Sequence, residues 1–208
     1  MKKVLLVLFV LVVAVSLSTA GTPMTSQGSK ALSFVINGLG NFGITSASAN
    51  SFAGFGGKYY ISNDMELRGV LGFNMNTVQH KDGAGVDNGK DATTTFGIAP
   101  AILWHMSAAG AVSPYWGFQG EFATSKLTHT PQPTGTESSG TGTEIGLAGV
   151  LGAEWYAWDG ISFNAEYQLG FNNETTKSDA GGTSVDGPSV TNFGISSWAV
   201  GINVYLGQ

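Results

Sequence analysis

Two residues at or near the end of one predicted strand, with a third on the next strand, are of the types that hydrolytic enzymes use. His105 and Ser107 stand two positions apart, and residues with that spacing on a strand share a face. A histidine base beside a serine hydroxyl, oriented by a carboxylate such as that of Glu121, is the arrangement that activates a nucleophile. Ser107, however, begins a Ser-Ala-Ala-Gly link between strands. We therefore expect no catalytic residue here and no enzymatic activity.

Six ionisable residues fall on the polar faces of predicted strands: Lys58, Glu66, Arg68, Glu121, Glu154 and Glu166. If these faces line the inside of a narrow barrel, the charged groups must pair or form hydrogen bonds, because an unpaired buried charge is costly. The favoured interpretation is a structural polar plug. The alternative is a gate, in which carboxylates exchange partners between Arg68 and Lys58. Four acids against two bases predict that any current through the lumen would prefer cations.

The remaining polar candidates do not predict a metal site. His80 and His129 fall in predicted loops, and we expect them to be solvated. Six acidic loop residues could gather Ca²⁺ or Mg²⁺ but lack the regular ligand spacing of a calcium loop: Asp82, Asp87, Asp91, Glu174, Asp179 and Asp186. The chain has no cysteine, which excludes disulfides and thiolate ligands. We expect no cofactor and no metal.

Alternating strands must position all of these residues. In Met65–Asn76, apolar residues such as Leu67, Leu71 and Phe73 share one face and polar residues share the other, a period of two that is typical of a strand. The same pattern predicts eight strands, the last with a bulge or a late start near Ser197: 30–39, 51–61, 65–76, 94–106, 114–126, 144–157, 161–172 and 193–206. The links between them are long and short in rotation, which is typical of a closed antiparallel barrel with its long loops at one end.

The placement of aromatic residues indicates which face meets lipid. One group lies near the short-turn ends of the strands: Tyr59, Tyr60, Trp104, Tyr115, Trp116, Trp155, Tyr156, Trp158 and Tyr205. Six of these are predicted to form the outward aromatic girdle: Tyr59, Trp104, Trp116, Trp155, Trp158 and Tyr205. A second group lies near the long-loop ends: Phe42, Phe52, Phe73, Phe122 and Phe171. Two such belts match the two interfaces of a bilayer, whereas a soluble barrel, the alternative, would concentrate large aromatics near mid-strand. The predicted fold class is an all-β, eight-stranded, antiparallel up-and-down transmembrane β-barrel.

The first twenty residues have the features of an export signal. Lys2 and Lys3 precede an apolar run over 4–17, and Ser18-Thr19-Ala20 forms a small-residue cleavage site. We divide the chain into a cleaved signal peptide (1–20), a flexible lead-in (21–29) and the barrel (30–208). Cleavage removes two of the nine basic residues and none of the fourteen acidic ones. The net charge of the remaining chain is therefore 7 − 14 = −7. So acidic a chain is unsuited to nucleic acid.

Several strands resemble those of small outer-membrane barrels of the OmpA/OmpX type. The segments that carry the resemblance are Gly146–Tyr156, Ile161–Phe171, Ser113–Gly120 and Trp198–Leu206. The resemblance implies a porin-like integral protein of a Gram-negative-type outer membrane, with lipid, lipopolysaccharide, the barrel-assembly machinery and periplasmic chaperones as partners. Two features depart from the family: no peptidoglycan-binding domain is appended, and the last residue is Gln208 rather than an aromatic residue.

The resemblance supports the fold more than any activity. We predict a non-enzymatic structural or surface-interaction role through four extracellular loops, which could bind an unidentified extracellular ligand. A narrow cation-preferring channel is the alternative. His105-Met106-Ser107, with Glu121 as a third member, is superficially similar to the His-x-Ser element of lipid A deacylases. The pair falls at the periplasmic end, whereas lipid A lies in the outer leaflet, so a lipid A-modifying hydrolase is only a remote alternative.

Overall fold

Eight antiparallel strands form a closed ring in chain order. The computed structural model describes residues 21–37, 54–81, 85–108, 110–131, 137–180 and 183–206. The strands are β1 (Lys30–Asn37), β2 (Gly54–Tyr60), β3 (Met65–Lys81), β4 (Asp87–His105), β5 (Val112–Pro131), β6 (Ser138–Trp158), β7 (Ile161–Ala180) and β8 (Thr183–Leu206). β1 pairs with both β2 and β8, which closes the sheet. The predicted eight-stranded antiparallel barrel is confirmed.

Side chains alternate across the barrel wall in the opposite sense to a soluble protein. On β3, Leu67, Leu71 and Phe73 are exposed, whereas Glu66 and Arg68 between them are buried. Successive strand residues point to opposite faces, so the apolar face of every strand lies outside and the polar face lines the lumen. In the described part of the chain, no helix has the length and hydropathy of a membrane span.

The outward apolar residues form a band that we call the apolar belt. It covers 65–75 on β3, 145–155 on β6 and 161–171 on β7. Each of these stretches is about eleven residues long, which at roughly 3.4 Å per residue and a tilt of about 40° rises roughly 28 Å. That height matches the hydrocarbon thickness of a bilayer.

Beyond the apolar belt, β3–β8 continue as paired polar strands that we call the six-strand extension. Its segments are 76–81, 87–95, 124–131, 138–144, 172–180 and 183–192. Thr77–Thr93, Leu127–Thr143 and Asn173–Thr191 were predicted as long loops, so the structure corrects this part of the prediction. Threonine suits strands, but polar residues on both faces of a strand leave no apolar alternation in the sequence.

Two further predicted strand ends are untested, and the irregularity predicted at the start of a third is confirmed. The predicted ends of the first and second strands at 38–39 and 51–53 lie outside the described residues, as do Phe42 and Phe52 of the predicted outer belt. On β8 the structure has the predicted bulge: Gln168 pairs with Ser197 but Leu169 pairs with Ile195. The extra residue shifts the parity of the strand, which explains why its first residues break the alternation.

Tight links join the strands at one end of the barrel. Between β2 and β3, the Ser62 hydroxyl accepts a hydrogen bond from the Met65 N–H (3.1 Å). Between β6 and β7, Gly160 takes a positive φ of 79°, a conformation in which a side chain would be strained. Both described chain ends lie here too, since Lys30 pairs with Leu206.

The lead-in crosses the short-turn end of the barrel. Gly21 donates its N–H to the carbonyl of Tyr156 on β6 (3.0 Å), and Gly28 donates to the carbonyl of Tyr60 on β2 (2.9 Å). In a ring of eight, the second and sixth strands are opposite each other. Between these anchors, Met24 packs against a cluster of buried residues inside the barrel. The flexibility predicted for 21–29 stays a prediction, and residues 1–20 lie outside the described part.

Candidate functional site in the barrel lumen

The strongest ion pair in the lumen joins β3 to β7. Arg68 donates from Nη1 to Glu166 Oε2 (2.7 Å) and from Nη2 to Glu166 Oε1 (3.1 Å), a bidentate contact that fixes both position and orientation. Tyr115 and Gln168 also donate to Glu166 (3.0 and 2.8 Å), and Arg68 donates to Gln119 (3.1 Å). Both charged side chains are 2 % exposed. Both oxygens of Glu166 and both terminal nitrogens of Arg68 are thus paired, whereas Arg68 Nε has no hydrogen-bond partner among the described residues.

A second ionic group joins β2, β3 and β6. Lys58 Nζ lies 2.9 Å from Glu154 Oε2 and 3.2 Å from Glu66 Oε2. The other oxygen of Glu154 accepts hydrogen bonds from Asn203 (2.9 Å), Tyr205 (3.0 Å) and the Ser162 hydroxyl. The carboxylate of Glu154 is therefore satisfied on both oxygens. Glu66 Oε1, in contrast, has no hydrogen-bond partner among the described residues.

His105 extends this group toward β4 and β5. Its Nε2 lies 3.0 Å from Glu66 Oε2 and its Nδ1 lies 3.0 Å from the Ser113 hydroxyl. Serine, histidine and glutamate thus stand in the order of a nucleophilic triad. Ser113, however, is completely buried and its hydroxyl donates to the carbonyl of Met106 (3.2 Å). A nucleophile must reach a substrate, so this geometry describes an internal brace.

Ser107, the serine predicted to share a face with His105, does not do so. Ser107 is exposed, whereas His105 is buried. The parity argument fails because β4 ends at His105, so the next two residues belong to a turn. The carboxylate beside His105 is that of Glu66. Glu121 instead accepts a hydrogen bond from Gln119 Nε2 (2.9 Å).

A buried set of ligand-type groups occurs at the same place. One atom each from Glu66, His105 and Glu154 lie within 4.8 Å of one another. Two carboxylates and an imidazole are suitable ligands for a divalent ion. The ammonium group of Lys58, however, contacts both carboxylates and supplies the positive charge they need. The lumen site is therefore completed by the protein's own cation.

A layer of three tyrosines closes the lumen beneath this network. The hydroxyls of Tyr60, Tyr156 and Tyr205 lie 3.4–3.5 Å apart, and all three side chains are buried. Met24 of the lead-in covers the layer from the other side. The lumen is thus filled by side chains and capped at the short-turn end.

Tyr205 was predicted to belong to the outward aromatic girdle, and the structure corrects this. It points inward, because it shares its parity on β8 with the lumen residue Asn203 and alternates with the outward Val204 and Leu206. Of the other five members, Tyr59, Trp104, Trp116 and Trp155 have outward parity on their strands. Trp158 is exposed because the register of β6 shifts after Tyr156. Trp104 and Trp116 stack with ring centroids 4.9 Å apart.

Five of the six predicted lumen residues are buried together, namely Lys58, Glu66, Arg68, Glu154 and Glu166. Glu121 is half-buried and joins them only through Gln119. Sequence reasoning missed the hydroxyl and imidazole groups of the network, which are Tyr60, His105, Ser113, Tyr156, Ser162 and Tyr205. Strand parity is the signal that could have found them.

A separate polar cluster occurs in the six-strand extension. His80 and His129, predicted to be isolated in loops, lie on β3 and β5 and both contact Asp91 of β4. Hydrogen bonds from His129 and His80 lower the pKa of the Asp91 carboxyl below its usual range. This cluster is exposed and lies beyond the apolar belt.

Comparisons with known proteins found similar structures but no similar sequence. No family model and no curated protein sequence matches this chain. The structure is similar to a major outer membrane protein from Thermus thermophilus (12 % identity, TM-score 0.49). It is also similar to Ail, the attachment invasion locus protein of Yersinia pestis (13 % identity, TM-score 0.41). Each comparison covers 86 % of this chain and 99 % of the other. The fold assigned here rests on the strand pairing of the chain itself.

Proposed function

We propose that this chain is an integral outer-membrane β-barrel with a filled lumen and a non-enzymatic role at the cell surface, exerted through its six-strand extension. The observation that carries the proposal is the reversed distribution of side chains, with Phe73 62 % exposed and Glu66 completely buried on the same strand. A bilayer is the solvent that makes both placements favourable.

The apolar belt supports a membrane location. Monomeric soluble proteins rarely expose large contiguous apolar surfaces, whereas here the exposed residues include leucines and phenylalanines from all around the ring. A closed barrel satisfies every backbone hydrogen bond at membrane depth, which a lipid-exposed sheet edge would not. The five outward aromatics near the short turns suit one interface of the bilayer.

The filled lumen supports a structural role for the membrane part. An eight-stranded barrel is just wide enough for its interior side chains to fill. Here two ionic groups occupy the middle, and a tyrosine layer with the lead-in lies below them. A continuous path through the barrel would require all of these to separate.

The six-strand extension supports a role at the surface. It presents polar paired strands, well beyond the apolar belt, on the side opposite the short turns. We expect lipopolysaccharide around its base and an extracellular ligand on its surface. Secretion with removal of 1–20, and passage through periplasmic chaperones and the barrel-assembly machinery, belong to the same proposal.

The test starts from residues 21–208 refolded into lipid vesicles, with insertion checked by protease protection and conductance recorded in planar bilayers. We expect a protected barrel without discrete current steps. A variant in which a two-residue turn replaces 174–190 shortens β7 and β8 but leaves the apolar belt intact. It should insert normally and lose binding to cells or matrix extract. If residues 21–208 failed to insert, or if the shortened variant bound as well as the unshortened chain, the proposal would be refuted.

A second candidate function, a narrow cation-preferring channel, is favoured by the charge of the lumen. Among the described residues, four buried carboxylates, Glu66, Glu144, Glu154 and Glu166, stand against two buried cations, Lys58 and Arg68. A pore with net negative lining attracts cations. Current steps that change in Arg68→Ala would favour this function over the filled barrel. A current carried mainly by anions would contradict the predicted preference for cations.

A further inference from the structure

Two of the three histidines of the chain meet at one carboxylate in the six-strand extension. His80 Nε2 lies 2.8 Å from Asp91 Oδ2, and His129 Nδ1 lies 2.6 Å from Asp91 Oδ1. The surrounding extension is rich in threonine, serine and glycine, residues with little affinity for metals. His80, Asp91 and His129 thus form one contiguous group of ligand-type side chains in the described part of the extension.

Strand register places the three side chains on one face. Asp91 on β4 is directly opposite His129 on β5 and Val78 on β3, and His80 follows Val78 by two residues. Alternation continues from the lumen, so this face is an extension of the inner one. Three neighbouring hydrogen-bonded strands thus hold the ligand groups, which gives them a more rigid base than a loop would.

A glycine lies next to this group. Gly89 precedes Asp91 by two residues on β4 and lies opposite His80 across the β3–β4 pair. A Cβ atom at this position would lie 3.4 Å from the carbonyl oxygen of Thr130 and 3.5 Å from Cε1 of His129. The absence of a side chain at Gly89 therefore leaves room beside the His129 imidazole.

We propose that His80, Asp91 and His129 bind a divalent transition-metal ion of the zinc and copper class. Imidazole and carboxylate are the ligands these ions prefer, and three protein ligands with a water in the remaining position form a common open site. Ca²⁺ fits poorly, since it takes six to eight oxygen ligands and this cluster offers one carboxylate.

Binding requires the side chains to move, because one ligand atom each from His80, Asp91 and His129 do not all lie within 4.8 Å of one another, as those of Glu66, His105 and Glu154 do. The two nitrogens contact different oxygens of Asp91, so a chelated ion would take both oxygens or require a rotation of the imidazoles. The two histidine side chains are 47 % and 45 % exposed, and rotamer changes of exposed side chains are fast. The site does not depend on whether the lumen conducts.

The experiment is a calorimetric titration of the metal-free, refolded protein in detergent micelles with Zn²⁺, followed by electron paramagnetic resonance of the Cu²⁺-loaded protein. We expect one ion per chain and nitrogen splittings from two imidazoles. His80→Asn, His129→Asn and Asp91→Asn should each weaken binding at least about 10-fold, because even outer ligand partners commonly contribute that much.

The matched control is Asp87→Asn. Asp87 is an exposed acid at the start of β4 that contacts Gln79, and its removal should leave the Zn²⁺ affinity unchanged. Absence of saturable binding would overturn the proposal and leave the cluster as a hydrogen-bonded brace. Equal binding by the wild type and the Asp91 and histidine variants would overturn it as well, since the ion would then bind elsewhere on the chain.

Discussion

At the residue scale, the buried ion pair of Arg68 and Glu166 determines how the lumen can be filled. Taking two charges out of water costs several kcal/mol each, and only a well-formed pair with further hydrogen bonds offsets that cost. Here the bidentate contact and the donors Tyr115 and Gln168 complete the carboxylate. Such a pair contributes more to the specificity of strand placement than to net stability.

We predict that Arg68→Met destabilises the folded barrel by about 3–5 kcal/mol, because Glu166 is then left buried without its cation. The double variant Arg68→Met with Glu166→Gln should recover most of that loss. Urea unfolding in lipid vesicles measures both effects.

Lys177→Met is the matched control, since the Lys177–Asp186 pair (3.2 Å) is largely exposed. Its loss should change stability by less than about 1 kcal/mol. If the single Arg68 variant were no less stable than this control, the lumen pair would have no structural role.

The lowered pKa of Asp91 predicts how this residue affects stability as the pH changes. Its folded pKa is lowered by hydrogen bonds from His129 and His80. The stability it contributes is therefore present above its unfolded pKa and is lost as the pH falls through the lower folded pKa. An NMR titration of the Asp91 carboxyl carbon should give a midpoint below the usual aspartate range. In His129→Asn the midpoint should move upward, and an unchanged midpoint would contradict the assigned cause.

At the element scale, the lead-in and the six-strand extension differ from what isolated segments suggest. Neither has an apolar stripe, yet both are held in place by neighbours that are distant in sequence. The lead-in is fixed by two backbone hydrogen bonds to opposite strands. The extension is fixed by ladders in which each polar strand satisfies the backbone groups of the next.

We predict that Gly21→Val releases the lead-in from the barrel. A Cβ at Gly21 would lie 2.5 Å from the carbonyl carbon of Trp158, and that backbone belongs to a tight turn that cannot retreat. Limited proteolysis of the refolded chain 21–208 should then cut within 21–29 faster than in the wild type, with the barrel itself unchanged.

Gln27→Ala is the control in the same segment, because Gln27 contacts Asn63 through its backbone N–H (3.0 Å). It should be cut at the wild-type rate. Equal rates for the Gly21 and Gln27 variants would show that the anchor at Gly21 does not hold the lead-in.

At the scale of the whole molecule, the barrel is stable only in a solvent that matches its outer face. Water would leave the apolar belt exposed, and a dry hydrocarbon phase would not suit the six-strand extension. The two surfaces together suit the proposed position in a bilayer, with the six-strand extension projecting from one side of it.

We predict that Leu71→Arg, near the middle of the apolar belt, costs about 2–4 kcal/mol of stability in vesicles. Val185→Arg, at an exposed position of the extension, should cost close to nothing because its surroundings are water. Urea titration of the two variants compares them directly. An equal effect at both positions would mean that the belt does not face lipid.

The sequence by itself determined the number of strands, their order and the face that each residue takes in the apolar belt. These follow from a period of two, which is a local property of the chain: Glu66 and Arg68 must point away from Leu67 wherever the strand goes. The same logic identified five buried lumen charges. It did not reveal the six-strand extension, because a strand with water on both faces needs no alternation of apolar and polar residues.

Only the tertiary structure decided which side chains meet. Arg68 and Glu166 are 98 residues apart in sequence, and Lys58 and Glu154 are 96 apart; their pairing depends on ring closure and on the stagger between strands. The same closure gathers Tyr205 with Tyr60 and Tyr156. It is register, too, that brings His80 and His129 to Asp91. Local patterns fix the direction of a side chain, but its partner is set by how distant strands align.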